Sequence, residues 1–466
     1  MLIAQRIISN VSVLSKLQQQ FLIMLTWSIF CCRGRVNYSR LAQVSGWSEK
    51  TFRRHYSLTE TVNFFAVHRA IIDAGLARTP AGMRVIAFDP SFLPKAGKKT
   101  PGLGRFWNGT ASRAERGLEA SITAIVEVRN RQAMTLAIQQ TIIPPRPDIP
   151  SQTSTDGIAQ KITTKKTTTK KTTTKKTTTK KTTTTTKTTT TKTSDAKAAK
   201  KKSSEAQELT LIDEYLRHVK NVIPYLHSDE QYWVVDGYFA KRKFLDAMHH
   251  LKQECITKLR TDANMTYIYA GEQRKGRGRP KVHDGKVEWN NLRAAIFERH
   301  ECTDGTVLLS AILYHQGLKR RLRVVIVQKK LNDGTVRQIV LASTDLNLSA
   351  NDILEAYRSR FQVEFLIRDG KGHTGLADSQ ARSTEAIGYH LNASMLALNC
   401  ARAEHYQILA RTPEATKTAF SIDSMKTTAF NEHFAEMIFS ISGLPLEMLK
   451  NHPEYQNIRN YGVIAT

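Results

Sequence analysis

Apolar and polar positions along this chain switch between a helical and a strand period, and the switches mark its elements. The run from Phe21 to Cys32 is apolar for about a dozen residues, too short to span a bilayer. It follows the polar triplet Gln18-Gln19-Gln20, unlike a secretory signal, and reads as a buried helix. The next pattern predicts a helix from Tyr38 to Ser45, a turn at Gly46 and a second helix from Ser48. Glycine accepts positive φ at such a turn without steric cost. Ser48 can cap the second helix, which exposes Lys50, Arg53 and Arg54. A rigid corner and a basic second helix are what a helix-turn-helix needs to enter a major groove. A plain helical packing domain would show the same pattern.

Strand patterns follow. MRVIAFDPSF is an apolar run that ends in Asp89-Pro90, and two more runs cover Leu118 to Val128 and Ala133 to Ile143. Residues 163–193 are almost pure Thr and Lys. They have no apolar face to offset their ordering entropy, so a disordered loop is expected over 150–204. That loop is either an aid to DNA affinity or a tolerated repeat expansion. Helical periodicity returns over Ser204 to Ile223, then QYWVVDGYF forms a second apolar run ending in Asp236. A helix from Lys241 to Gln253 and a strand from Cys255 to Leu259 come next. Asn264 to Thr344 is rich in alternating strands, with an Asp333-Gly334 hairpin turn. Ser349 to Arg368 reads as one helix, with Ser349 and Asp352 spaced as a capping box.

Without the Thr/Lys tract and the β-rich segment, this order predicts an α/β protein of the RNase H-like kind, a mixed sheet with flanking helices. The expected layout is an N-terminal helical region over 1–80 and a first catalytic part over 81–262. An all-β insertion over 263–344, a second catalytic part over 345–410 and a C-terminal helical segment over 411–466 complete it. Amphipathic helices between Ala419 and Leu449 either mediate pairing or pack on the core.

The formal net charge is +28. Fifteen Lys and one Asp between Lys161 and Lys202 contribute +14, which leaves 28 − 14 = +14 elsewhere. The rest of the chain is therefore basic in its own right, and nucleic acid is the natural partner for such a surface. Cys31, Cys32, Cys255, Cys302 and Cys400 include no Cys-x-x-Cys pair. That argues against structural zinc and a secreted disulfide scaffold, and fits a reducing cytoplasm, without membrane.

Asp89 and Asp236 each close an apolar run. If the two strands are neighbours, their carboxylates converge at the C-terminal edge of the sheet, where open α/β sheets place ligands. On the predicted final helix, Tyr357, Arg360, Glu364 and Lys371 fall within an arc of roughly 60° at 100° per residue. That face offers a carboxylate among two cations and a phenol. It reads either as metal and phosphate chemistry or as a surface salt-bridge stripe.

The spacing Tyr357-x2-Arg360-x3-Glu364-x6-Lys371 resembles the Y-R-E-K signature of DDE insertion-sequence transposases, the group named for the fourth bacterial insertion sequence. FDPSFLPKAGKKT from Phe88, GRFWNG from Gly104, VVDGYF around Asp236 and KGHTGLADSQAR from Lys371 extend it, from about Arg35 to His405. The Thr/Lys tract departs from the family pattern. The resemblance implies that Asp89, Asp236 and Glu364 are catalytic and bind two divalent ions, Mg²⁺ with Mn²⁺ as a substitute. It implies that Tyr357, Arg360 and Lys371 hold phosphates of double-stranded DNA at the transposon ends. It further implies nicking, joining to target DNA and a homodimer in the synaptic complex, in a nucleoid-associated cytoplasmic protein. Two other enzymatic or binding readings compete: a nuclease of the same fold without joining activity, and a silent DNA-binding relic.

Weaker signals remain. RKGRGRPK, with Arg277 and Arg279, resembles a minor-groove hook, although a solvated basic turn would look alike. Trp289 is a candidate for stacking on an extruded base or for core packing. His373 suits phosphate contact, proton transfer or a structural role.

Overall fold

The apolar runs become one twelve-stranded mixed sheet. A computed structural model describes residues 2–57, 62–76, 82–142, 209–273, 276, 278–411 and 419–463. Residues 1–143 and 210–466 form one compact unit; a second spans 144–209, of which only Leu209 is described. The expected Thr/Lys loop, and Arg277, therefore lie outside the described residues.

Five helices open the chain: α1 (Leu2–Ser9), α2 (Lys16–Cys31), α3 (Tyr38–Ser45), α4 (Glu49–Ser57) and α5 (Phe64–Gly75). Ser15 and Gln18 close a capping box on α2, whose side chains from Phe21 onward are largely buried. Gly46 ends α3 at φ 72°, and Ser48 accepts the Thr51 N–H at 3.2 Å at the start of α4. These helices dock on a later helix through aromatic contacts described below.

Four strands follow: β1 (Arg84–Pro94), β2 (Gly104–Asn108), β3 (Arg113–Glu127) and β4 (Gln132–Gln140). Then come α6 (Leu211–Val222), β5 (Tyr232–Val235), α7 (Arg242–His250) and β6 (Glu254–Leu259). β1 and β4 both run antiparallel to β3, while β1, β5 and β6 are mutually parallel neighbours. In space the order is β4-β3-β1-β5-β6, and along the chain these strands with α6 and α7 follow the succession expected from the sequence, with β2 added.

The β-rich segment comprises β7 (Met265–Ile268), β8 (His283–Lys286), β9 (Glu298–Glu301), β10 (Val307–His315), β11 (Arg320–Lys330) and β12 (Val336–Ser343). β12 pairs antiparallel with β6, so these strands prolong the central sheet. The Asp333-Gly334 turn joins β11 to β12, with Gly334 at φ 79°. Trp289 is partly buried and its indole N–H donates to the Ala263 carbonyl at 3.0 Å.

The chain closes with α8 (Ala350–Ser359), α9 (Gln362–His373), α10 (Thr384–Arg411), α11 (Ile422–Ser442), α12 (Leu446–Lys450) and α13 (Tyr455–Arg459). α10 is buried along most of its length and lies against α5 and β4. Asn399 on α10 bonds both the N–H and the carbonyl of Thr135, beside a bulge in the β3–β4 ladder. Tyr389 of α10 receives Tyr56 of α4 at 4.5 Å and Phe64 of α5 at 5.0 Å between ring centroids. The sheet is thus covered on both faces. Phe88 of β1 meets Tyr215 of α6 on one side, whereas Asp89 and Ser91 meet residues around α9 on the other.

Two expectations need correction. The single helix from Ser349 to Arg368 is two helices, with a break at Arg360 and Phe361 made of i→i+3 bonds. The Ser359 hydroxyl bonds back to the Ala356 carbonyl at 2.8 Å, a contact that bends helices. In addition, β1 does not end at Asp89-Pro90. Its pairing with β5 stops at Ala87–Val234, but pairing with β3 continues to Pro94–Gly117. Proline, which has no N–H to donate, is tolerated where one neighbour has already left.

Candidate active site

Asp89 and Asp236 are placed by the parallel pairing of their strands. Ile86 faces Trp233 and Ala87 faces Val234; two more residues of that register set Asp89 beside Asp236. Neighbouring strands lie about 4.8 Å apart. Asp236 leaves β5 as the cap of a 3-10 turn, Gly237–Phe239, and its carboxylate accepts the Tyr238 N–H at 2.8 Å. The Thr257 hydroxyl holds its carbonyl at 2.9 Å, which fixes the turn to β6.

The third carboxylate comes from the first turn of α9. Glu364 accepts from Arg360 Nη2 at 2.9 Å, and Arg360 Nη1 lies 3.3 Å from Asp89 Oδ1. One guanidinium therefore bridges β1 and α9. The helix break makes this possible, because Arg360 occupies the corner between α8 and α9. Burial pushes the Asp89 carboxyl up to about 7; Arg360 counteracts it, while Asp236, Glu364 and Glu119 push further up. Burial works against the Arg360 charge, but Asp89, Tyr357, Glu364 and Asp236 outweigh it and raise its pKa. Tyr357, half-buried at the end of α8, is raised by burial, with Arg360 opposing.

Lys371, two turns beyond Glu364, does not stand free. Its ammonium donates to the Ser91 hydroxyl at 3.0 Å and to the Phe92 carbonyl at 2.8 Å, which ties α9 to β1 just past Asp89. Burial lowers its pKa, with Asp89 opposing. Asp369 anchors the same helix to α10 through Arg402 at 3.0 Å.

The structure thus brings Asp89, Asp236, Glu364, Tyr357, Arg360 and Lys371 to one edge of the sheet. It does not bring the other sequence candidates there. Lys50, Arg53 and Arg54 are exposed on α4, where Arg53 pairs with Glu49 at 3.1 Å and stacks over Tyr38. Arg279 is exposed between β7 and β8. His373 pairs with Asp423 at 3.6 Å, toward α11. Glu119 was not singled out, because it lies inside a continuous apolar run; the Tyr215 hydroxyl donates to it at 2.7 Å.

Among the described residues no three His, Cys, Asp or Glu side chains have closed up around a single ion position. The donor chemistry still fits a hard divalent cation: three carboxylates, no softer ligand, and one guanidinium shared by two of them.

A family model described as "DDE superfamily endonuclease" matches residues 45–320, more than half of the chain. The chain belongs to that superfamily. The matched stretch includes Asp89 and Asp236 and ends before Glu364. Endonucleases of this superfamily use divalent metal ions. None of the curated proteins matches the chain. Among solved structures, a cryo-electron microscopy structure of a piggyBac transposase synaptic complex with hairpin DNA overlays at TM-score 0.38 and 11% identity. The overlay covers 96% of this chain and 76% of that one, and at that similarity it carries no argument. No helix among the described residues is long and apolar enough to cross a membrane.

Proposed function

We propose that this endonuclease is a bacterial insertion-sequence transposase that cuts DNA at the ends of its element and joins the freed 3′-hydroxyl to target DNA. The observation that carries the reading is the convergence of carboxylates from β1, the end of β5 and α9 at one sheet edge, where Asp89 and Glu364 share one guanidinium. The Y-R-E-K spacing over Tyr357, Arg360, Glu364 and Lys371 supports the insertion-sequence type.

Asp89, Asp236 and Glu364 would hold two divalent ions, Mg²⁺ or Mn²⁺. Such ions supply activation of a water or 3′-hydroxyl and stabilisation of the leaving oxygen. Arg360 now neutralises Asp89 and Glu364; once those carboxylates hold cations, its donors become free for a scissile-strand phosphate. Lys371 uses two of its three ammonium hydrogens on β1 and keeps the third for phosphate. The Tyr357 phenol flanks Arg360 and completes a phosphate-binding face. Lys50, Arg53 and Arg54 on α4, together with Arg277 and Arg279, are assigned to the DNA duplex away from the reacting phosphate. Synapsis of two ends calls for a homodimer. The exposed Phe434, Ile438 and Ile441 on α11 offer apolar surface for it. Such a reaction belongs in the cytoplasm, at the nucleoid.

The test incubates the protein with the repeats flanking its reading frame and Mg²⁺ or Mn²⁺. Nicking at the element boundary followed by joined products is expected. Nicking without joining would leave a plain nuclease, and full joining by Glu364→Ala would overturn the site assignment.

A further inference from the structure

Past Asp89, the chain from Lys95 to Arg116 carries six cations and one acid, and it folds into a hairpin of β2 and β3 beyond the main ladder. Gly104 pairs with Gly117 at its base, and a Cβ on Gly117 would lie 2.4 Å from the Phe92 ring. The stem is thereby seated tightly on β1.

One face of this hairpin carries Arg105 and Arg116 directly opposite each other, with Trp107 opposite Ala114 next to them. Like charges at facing positions destabilise a strand pair. Neither arginine has an acidic partner among the described residues; Arg105 reaches only the Ala114 carbonyl at 3.1 Å. Trp107 is 64% exposed, the largest aromatic left so open. The opposite face is by contrast settled: Phe106 is buried and Glu115 binds Asn108 and Arg113. Arg116 also lines a groove of about 1140 Å³ with five further cations, Arg35, Lys95, Lys98, Lys99 and Arg382, against two acids, Glu115 and Asp378. The hairpin base lies about 17 Å along β1 from Asp89, five residues at strand rise.

We propose that this face is a single-strand DNA site, where Trp107 stacks on an unpaired base and Arg105 and Arg116 hold the flanking phosphates. An uncompensated arginine pair and an open indole are costs in the free protein. A polyanion bearing aromatic bases relieves both at once. A flat duplex exterior would satisfy the arginines and leave the indole without a partner. The groove continues the track of cations from the hairpin along the sheet. This site rests on the reading of the chain as a DNA-cutting enzyme.

The test measures anisotropy of a fluorescein-labelled single-stranded oligonucleotide, and of its duplex, with full-length protein in EDTA. Metal chemistry is then absent from the readout. Trp107→Ala is expected to weaken single-strand binding about tenfold and Trp107→Phe much less, with duplex binding unchanged by either. Arg105→Ala with Arg116→Ala should lower the slope of log affinity against log salt by about 1.4 on single strands. Unchanged single-strand affinity in Trp107→Ala, with circular dichroism and melting like the parent, would overturn the site while leaving the nuclease reading intact. A parent protein that binds neither DNA form sinks both readings.

Discussion

Strand β1 carries one ion cluster at its start and another at its middle, and the two differ in stoichiometry. At its start, Glu230 is fully buried and accepts from Arg69 at 2.8 and 3.1 Å, from Arg84 at 3.4 Å and from the His227 N–H at 3.1 Å. Arg69 also binds Asp73 at 2.6 Å, and His227 joins Asp73 at 2.9 Å. Each acid there meets its own cation. Five residues on from Arg84, Asp89 shares the guanidinium of Arg360 with Glu364, Asp236 lies beside them with its carboxylate on the Tyr238 N–H, and Lys371 donates to Ser91 and Phe92. Burial disfavours the charge of Asp73 too, yet Arg69 and His227 hold its carboxyl below the ordinary range. At Asp89 burial and the neighbouring carboxylates win, and its carboxyl is pushed up to about 7. A matched cluster fastens α5, β1 and the approach to β5. An unmatched one is a place that gains from added positive charge.

Neutralising one acid in each cluster should have different consequences, the larger at the unmatched one. Asp89→Asn, Asp236→Asn or Glu364→Gln should lower metal-dependent DNA cleavage by at least about a thousandfold, the scale of several kcal/mol of charge stabilisation. The same Asp89→Asn should leave the urea midpoint of metal-free protein at pH 7.5 no lower than the parent. A large loss of stability together with retained cleavage would invert the roles assigned to the two clusters.

Glu230→Gln is the converse. Removing one partner of a buried pair leaves its charges uncompensated and costs about 3–5 kcal/mol. Arg69 and Arg84 would be the stranded groups. We expect a clearly lower denaturation midpoint and, well below it, unchanged cleavage per folded molecule.

The pH dependence of stability should have opposite signs at the two clusters. The Asp89 carboxyl is pushed from its ordinary 3.8 up to about 7 in the folded protein, so the folded state binds the extra proton between them. Its contribution therefore falls as pH rises through that window. Asp73 is depressed when folded, so its contribution is present above 3.8 and is lost as pH falls through its folded pKa. Chemical denaturation of metal-free protein across pH 3 to 8 should show the first slope flattened in Asp89→Asn and the acid limb flattened in Asp73→Asn. Interchanged effects would contradict the assignment of matched and unmatched charge.

Much of this architecture was legible because its signals are local. The apolar runs before Asp89 and Asp236, the Gly46 corner and the Asp333-Gly334 hairpin each depend on a few adjacent residues. What was hidden depends on distant ones. No Pro or Gly marks the break at Arg360; it is accompanied by the Ser359 hydroxyl on the Ala356 carbonyl and by the Arg360–Asp89 pair. Pro90 looked like a strand end, yet β3 is long enough to hold β1 for four more residues on one side. Tyr357, Arg360, Glu364 and Lys371 gather at one sheet edge although they sit on two helices, because Arg360 at the corner is held by Asp89 and Glu364, and Lys371 is held by Ser91 and Phe92. The matched cluster was not read at all. Arg69 and Asp73 meet within one turn of α5, but Arg84 and Glu230 join them only after β1 and β5 pair, and each alone resembles ordinary surface charge.

The smallest effect is expected at the rim of the matched cluster. His227 and Asp73 are each well over a third exposed, so water and salt screen their contact. Such pairs contribute about 0–1 kcal/mol. His227→Gln preserves the backbone N–H that serves Glu230 and removes only the ring contact. The denaturation midpoint should shift by less than about 1 kcal/mol, and less again at high salt. Cleavage should be indistinguishable from the parent. If His227→Gln instead cost as much as Glu230→Gln, the cluster would owe its stability to the exposed histidine rather than to the buried glutamate.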